Sequence, residues 1–299
     1  RQMDLPLDVD GYIPRIHFTD DPLKLLVFTQ NRHQNQLDIY VANPRSTECR
    51  IIVRDQAERY ITEEPYKNIS LHPGGFVLMS ERSGFNHLYL YDLNGTMKRQ
   101  LTTGNFVVTD YYGYDAKTGT TYYASNQESP TRKAVYKSDA KGKVVKLSTK
   151  EGTNDAIFSK NMKYFMNVYS NINTPPVTSL CDNKGKELKV LEDNQALKDK
   201  LASIDLGERR FFTFKTQDGV DLNGYMVLPP NFNEAQKYPV VMYQYSGPGS
   251  QQVLDSWYAG NMTGTLYEQY LGQRGFISVV VDGRGTGGRG REFEQCTYL

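Results

Sequence analysis

Tyr245 opens the run Tyr245-Ser246-Gly247-Pro248-Gly249-Ser250, which directly follows the apolar stretch Tyr238-Pro239-Val240-Val241-Met242-Tyr243. Glycine and proline let the backbone turn sharply there, so the tyrosine hydroxyl is a donor placed at the end of a strand. Acyl transfer is the chemistry that needs such a group. Negative charge gathers on a carbonyl oxygen, two preorganised donors must meet it, and losing one costs about 2.7–4 kcal/mol. Packing or a surface position is the ordinary role for any one of 22 tyrosines. The strand-end position beside Ser-Gly-Pro-Gly sets Tyr245 apart, and it is the candidate catalytic residue. Its partners in such chemistry are missing from the sequence. No G-x-S-x-G nucleophile turn follows, and there is no histidine after His87, so these 299 residues are not expected to complete a Ser-His-Asp triad.

Other constellations point to weaker chemistry. Gly283-x-Gly285-x-x-Gly288, after a strand ending at Val281, matches the dinucleotide fingerprint by spelling. The acid expected about 20 residues further on cannot be tested, and Asp282 and Arg284 fit a buried ion pair or a turn bracing the sheet better. No cofactor is therefore expected. His17, His33, His72 and His87 occupy different repeat positions and no two share metal-ligand spacing, so no metal is expected either. His87 starts a strand and reads as a structural hydrogen-bonder. Cys49, Cys181 and Cys296 are odd in number and far apart, which reads as unpaired thiols. Trp257 and Tyr258 line a pocket or, more in keeping with their setting, pack a helix.

The elements that must hold Tyr245 alternate in type. A hairpin is predicted over Arg210–Thr216 and Val220–Leu228 with Asp218-Gly219 in its turn. Strands follow at Lys237–Tyr243 and Phe276–Val281 with a helix between them, as an α/β sheet requires. Upstream, Leu191–Leu201 changes period. Asp193 or Asn194 is a possible helix cap, and Leu197 and Leu201 share a face.

Before that switch a unit repeats four times, with strand starts roughly 45 residues apart. Its strands at Lys24–Thr29, Gly75–Ser80, Thr120–Ala124 and Lys163–Tyr169 are each followed by a polar loop. Further strands come at Leu37–Val41, His87–Tyr91, Ala134–Lys137 and Val177–Cys181, then a turn with Asn, Asp or Gly. Arg50–Val53, Lys98–Leu101, Val144–Leu147 and Glu187–Val190 close the units. A four-stranded unit of this length has the period of a β-propeller blade, and one small twisted sheet must stack on others to bury its faces. A β-sandwich with coincidental spacing is the alternative, but strand order recurs here along with the period. Four blades are too few for a typical ring, so more are expected upstream. The predicted fold is mainly β, with propeller blades over residues 1–191 and the first part of an α/β domain over 192–299.

Composition bounds the function. A net charge of +1 gives no basic excess for nucleic acid, and the apolar runs are too short to span a bilayer. Lys137–Lys150 reads as a solvated blade edge. The start, Arg1-Gln2-Met3-Asp4, is no signal peptide and begins mid-pattern, as if from a longer protein. Asn68-Ile69-Ser70, Asn94-Gly95-Thr96 and Asn261-Met262-Thr263 spell glycosylation sequons, a pattern common by chance.

Several segments, in order along the chain, resemble the dipeptidyl peptidase IV branch of the prolyl oligopeptidase family, most of all its bacterial members. They are Ser80-Glu81-Arg82-Ser83-Gly84-Phe85-Asn86-His87-Leu88-Tyr89-Leu90-Tyr91, Val190-Leu191-Glu192-Asp193-Asn194, Pro229-Pro230-Asn231-Phe232, Lys237-Tyr238-Pro239, Tyr245 to Gln251, and Asp282-Gly283-Arg284-Gly285-Thr286-Gly287. The resemblance implies an eight-bladed propeller joined to an α/β-hydrolase domain. It implies a serine exopeptidase that removes dipeptides from peptide N-termini, preferring Pro or Ala at the second position, in a periplasmic or extracellular setting. Many members are dimers, so a homodimer is the implied assembly. The family's oxyanion-hole tyrosine maps onto Tyr245. Its nucleophile, acid and histidine fall beyond Leu299, and its amine-binding glutamates fall upstream of Arg1. Glu63-Glu64 lies in a different blade and reads as a solvated turn, although the loop Arg59–Tyr66 could face the substrate cavity. The rival class is a non-catalytic propeller that binds peptides or proteins. Sequence beyond Leu299 separates the two, since an elbow serine, then Asp, then His belongs to the enzyme.

Overall fold

The computed structural model describes residues 2–259 and 265–298. The third sequon, at Asn261, lies outside them. Four antiparallel meanders come first, each with its strands hydrogen-bonded in chain order. The first is β1 (Tyr12–Phe18), β2 (Leu25–Gln30), β3 (Gln36–Ala42) and β4 (Cys49–Gln56). A four-residue helix, α1 (Glu64–Lys67), precedes the second, which is β5 (Ser70–His72), β6 (Gly75–Ser80), β7 (His87–Asp92) and β8 (Met97–Gln100). The third is β9 (Val108–Asp115), β10 (Thr120–Ser125), β11 (Ala134–Ser138) and β12 (Val144–Lys146), and the fourth is β13 (Thr153–Phe158), β14 (Tyr164–Asn171), β15 (Thr174–Asp182) and β16 (Glu187–Glu192).

Stacking explains the continuous apolar runs in middle strands such as β2 and β6. Successive strand residues point to opposite faces, so a strand buried on both faces shows a continuous apolar run rather than alternation. In β6, Phe76 and Leu78 pack with Leu26, Phe28 and Ile39 of the first sheet. Their neighbours Val77 and Met79 pack with Val108, Tyr123 and Tyr136 of the third. The pattern repeats one step along: Tyr123 faces back, while Tyr122 joins Phe165 and Cys181 of the fourth sheet. Each sheet thus shares a core with the next, the blade arrangement that the repeat predicts. Closing strands β8 and β12 bury no residue and β16 is exposed along its whole length, whereas β4 buries Val53 and Asp55.

The first strand of each blade was not among the sequence assignments. β1 carries Pro14 and a bulge between Tyr12 and Arg15, β5 has three residues, and β9 and β13 are largely polar. The turns before the closing strands are alike in chemistry. Oδ1 of Asp92, Asp139 and Asp182 accepts two backbone N–H groups each, and a glycine at positive φ follows three residues later.

After β16 comes α2 (Gln195–Ala202), where only one of the two capping candidates meets a helix amide. Asn194 is left-handed at φ 55° and its side chain makes no cap, because its Nδ2 donates to Pro176 O at 2.6 Å. Asp193 instead accepts the Gln195 N–H at 3.0 Å. The last sheet has the order β17 (Arg209–Lys215), β18 (Asp221–Val227), β20 (Ile277–Val281), β19 (Val240–Gln244). β19 and β20 are parallel, with α3 (Thr265–Gln273) in the crossover that parallel pairing demands. Tyr225, Val227, Val253 and Val280 form its core, and Ile172 of the fourth blade enters it. A short helix, α4 (Arg291–Glu294), and a turn of 3-10 helix at Gln295–Thr297 complete the described chain.

Candidate functional site

Strand β19 ends at Gln244, so Tyr245 begins the loop at the sheet's end. The ring is 57% exposed, and its hydroxyl makes no hydrogen bond among the described residues. It lies back over Gly247, where an added Cβ would stand 3.2 Å from the phenolic oxygen.

A second loop, after β20, braces the first. Asp282 is buried, and its two carboxylate oxygens accept the Gln252 and Val253 amides at 2.8 and 3.0 Å. Burial pushes its carboxyl above the usual range, and those two amides pull it part of the way back. The Gly283 N–H donates to Ser246 Oγ at 3.0 Å, Gly249 N–H to Gly285 O at 3.2 Å, and Gly287 N–H to Ser250 O at 2.9 Å. Gly283 has to be glycine for this approach, because a Cβ would sit 2.5 Å from Ser246 Oγ. The dinucleotide-like spelling therefore serves loop-to-loop packing. Asp282 braces the turn as expected but forms no ion pair with Arg284, whose guanidinium reaches the exposed Asp218 at 2.6 Å.

Beside Pro248 and Gly249 opens a cavity of about 570 Å3. The linker between the first two blades supplies its other wall with Tyr60, Thr62, Glu63 and Glu64, and Glu81, Asn86 and Glu294 complete it. The loop Arg59–Tyr66 thus faces the same space as the Tyr245 loop. Arg59 Nη1 donates to Gln295 O at 2.6 Å and Gln295 Nε2 to Tyr60 O at 2.8 Å, which holds the 3-10 turn against the linker. Glu63 pairs with Lys67, and Glu64 accepts Asn68 Nδ2 at 2.6 Å. Thr62 Oγ1 donates to Glu81 at 3.2 Å. Burial pushes up the carboxyls of Glu64 and Glu81, and burial together with the charges of Glu81 and Glu64 pushes Glu294 up to about 7. Glu81 and Glu294 escaped the sequence reading as site residues. Neither has a local signal, since long-range folding alone brings them to one wall.

The remaining candidates resolve into structure. Both ring nitrogens of buried His87 are satisfied, Nδ1 by Thr102 Oγ1 at 3.0 Å and Nε2 by Gly104 O at 2.9 Å. Trp257 lines a cavity, as one of its two readings had it. The Arg209 guanidinium lies 5.6 Å over its ring, at a separate cavity near Ile172. The three cysteines are free thiols. Within the stretch 137–150, Lys137 Nζ reaches across to Asn183 O of the next blade at 2.6 Å, so the basic edge is partly an inter-blade contact.

Comparison with known proteins fits this architecture. The crystal structure of Porphyromonas gingivalis dipeptidyl peptidase 4 superposes with a TM-score of 0.93 at 46% identity, over 99% of this chain and 42% of that one. Dipeptidyl peptidase 4 of Trichophyton rubrum is 32% identical over 275 residues, 89% of this chain and 35% of the relative. That of Arthroderma otae is 34% identical over 223 residues, 73% of this chain and 28% of the relative. The chain therefore spans only about a third of the length of these curated relatives. The family model for the dipeptidyl peptidase IV N-terminal region matches residues 1–176, and the chain belongs to that family.

Proposed function

We propose that the chain is part of a serine exopeptidase that releases N-terminal dipeptides, Xaa-Pro or Xaa-Ala, from peptides. Residues 1–191 supply a propeller wall. Residues 192–299 supply the first strands of an α/β-hydrolase domain, with Tyr245 as one of two oxyanion donors. One observation carries this reading: an exposed phenol without a hydrogen-bond partner among the described residues stands at a strand end, on a loop braced by Asp282 and bordering a cavity. A donor kept free in the resting state is available for charge that develops only during reaction. The same reading makes the parent protein's partner a peptide, its assembly a homodimer and its compartment the periplasm or the exterior. Among the described residues no helix is long and apolar enough to cross a membrane.

Two measurements test the proposal. Tyr245→Phe in the full-length protein should lower kcat about 10²–10³-fold and leave KM much less changed, because the lost donor acts in the transition state. An unchanged kcat removes Tyr245 from the mechanism. The 299-residue chain alone should not hydrolyse a Gly-Pro amide, having no nucleophile elbow. Turnover that a serine reagent abolishes would overturn that expectation.

A further inference from the structure

The cavity beside the Tyr245 loop has an unusual chemical bias. Glu64, Glu81 and Glu294 arrive from three separate elements and line one cavity, and the charges of Glu81 and Glu64 help hold the Glu294 carboxyl up. Among the described residues, none of these three carboxylates has an ion-pair partner within 4.0 Å. Glu63, by contrast, is paired with Lys67 at the rim. A fourth acceptor is deeper. Asn86 is 4% exposed, and its Nδ2 donates to Val108 O at 2.9 Å. A carbonyl only accepts, so the amide nitrogen is fixed on that side, and Oδ1 is left buried with no partner. The Tyr60 hydroxyl is likewise buried and unpaired. Thr62 has already turned its proton toward Glu81. Every charged side chain that lines the cavity is a carboxylate.

A buried acceptor without a partner costs about 1–3 kcal/mol, and converging carboxylates cost more unless a cation joins them. The complementary ligand is a group that only donates and carries positive charge. A bare metal ion fits poorly, because no three carboxylate, cysteine or histidine side chains among the described residues stand close enough to hold one. An ammonium or guanidinium on a flexible stem can reach several spread acceptors at once, and about 570 Å3 is ample for it.

We propose that this cavity is a subsite for a lysine or arginine side chain of the bound peptide, with Glu81 and Glu294 as its principal anions and Glu64 and Asn86 Oδ1 as further acceptors. The proposal rests on the peptide-hydrolysing reading above and adds a preference to it.

The test uses the full-length protein and two substrate series. One compares Lys-Pro with Ala-Pro amides, and the other compares Ala-Pro-Lys-Ala with Ala-Pro-Ala-Ala. In at least one series the lysine substrate should have the higher kcat/KM. The double variant Glu81→Gln, Glu294→Gln should cut that lysine-to-alanine ratio about tenfold, since a charge-assisted contact is lost for one substrate only. A second measurement needs no variant. The groups facing Glu294 are Glu64, Glu81 and Tyr60, with Arg291 and Asp55 facing Glu81. Lowering the pH from about 8 to about 6 protonates Glu294 while the lysine stays charged, so the ratio should fall in the unmodified protein. The α-amine titrates alike in both substrates and cancels. Cleavage with no lysine preference in either series, or with a preference that neither the variant nor pH alters, overturns the subsite and leaves the peptidase reading intact. Failure to cleave any of the four substrates overturns the peptidase reading, and this proposal falls with it.

Discussion

At the scale of single residues, Glu294 is a side chain held well away from its ordinary state. Burial and the nearby Glu81 and Glu64 charges raise its carboxyl to about 7, against about 4.5 for the free group. Between those values the unfolded chain has lost a proton that the folded chain keeps. The native state binds more protons there, so stability declines as pH rises through that window. Glu294→Gln removes the titration. In urea unfolding of the full-length protein, the variant should match the parent near the lower value and be more stable by about 1–3 kcal/mol at pH 8, after allowing for solvent screening at a half-buried site. Equal stabilities across the whole range would show that the glutamate is not held in this way. Tyr245 is the opposite kind of residue. It is exposed, and its hydroxyl makes no hydrogen bond among the described residues. Asp282 was legible as a brace, but its real partners are two backbone amides rather than Arg284.

At the scale of elements, the sequence revealed what burial imprints on it. Strands covered on both faces, such as β6, carry an unbroken apolar run over residues 76–79, and such runs stand out beside Asn-Gly and Asp-Gly turns. The first strands of the blades leave no such imprint, because Pro14, the brevity of β5 and the polar content of β13 hide them. The motif Ser80-Glu81-Arg82 was visible without its reason. Ser80 and Arg82 both bind Asp55 of the preceding blade, Arg82 through Nη2 at 3.0 Å, and the Arg82 guanidinium lies 5.0 Å over the Tyr89 ring. Such pairings link elements distant in sequence, so no local pattern announces them. The turns make a sharper test. Gly95 has φ 90°, and an added Cβ would lie 2.1 Å from Ile52 O of the preceding blade. Gly95→Ala should therefore cost more than the roughly 1 kcal/mol of backbone strain alone, on the order of 2–4 kcal/mol with the displaced blade edge included. Gly142→Ala gives the control. It shares the positive φ, at 83°, but has open space around it, and should cost about 1–2 kcal/mol. Equal losses at the two glycines would mean that the turn does not dock on its neighbour.

At the scale of the molecule, the blades share apolar cores with one another but meet the last sheet largely through polar contacts. Asn126 Nδ2 reaches Gly288 O at 2.6 Å, Gln251 Nε2 reaches Pro130 O at 2.8 Å, and Arg291 N–H reaches Gly84 O at 2.8 Å. Asp255 is the hub, and it is 7% exposed. Its Oδ1 accepts the buried Ile172 N–H at 3.0 Å and its Oδ2 accepts Arg132 Nε at 3.2 Å. Its own N–H donates to Thr131 O at 2.7 Å, and its carbonyl accepts Thr153 Oγ1 at 3.0 Å. One side chain thus ties the third and fourth blades to the segment that follows the Tyr245 loop. Removing it strands a buried amide and frees Arg132, which keeps only the exposed Glu151. Asp255→Ala should lower the stability of the full-length protein by about 2–4 kcal/mol, the cost of losing a charge-assisted contact and leaving a buried donor unpaired. Asp255→Asn retains an acceptor for Ile172 but no charge for Arg132, so it should lose roughly half as much. If the polar seam also sets the distance between the cavity wall and the Tyr245 loop, Asp255→Ala should raise KM for dipeptide amides more than it lowers kcat, the reverse of Tyr245→Phe. An unfolding midpoint unchanged by Asp255→Ala would show that the apolar insertion of Ile172, rather than this carboxylate, fastens the two parts together.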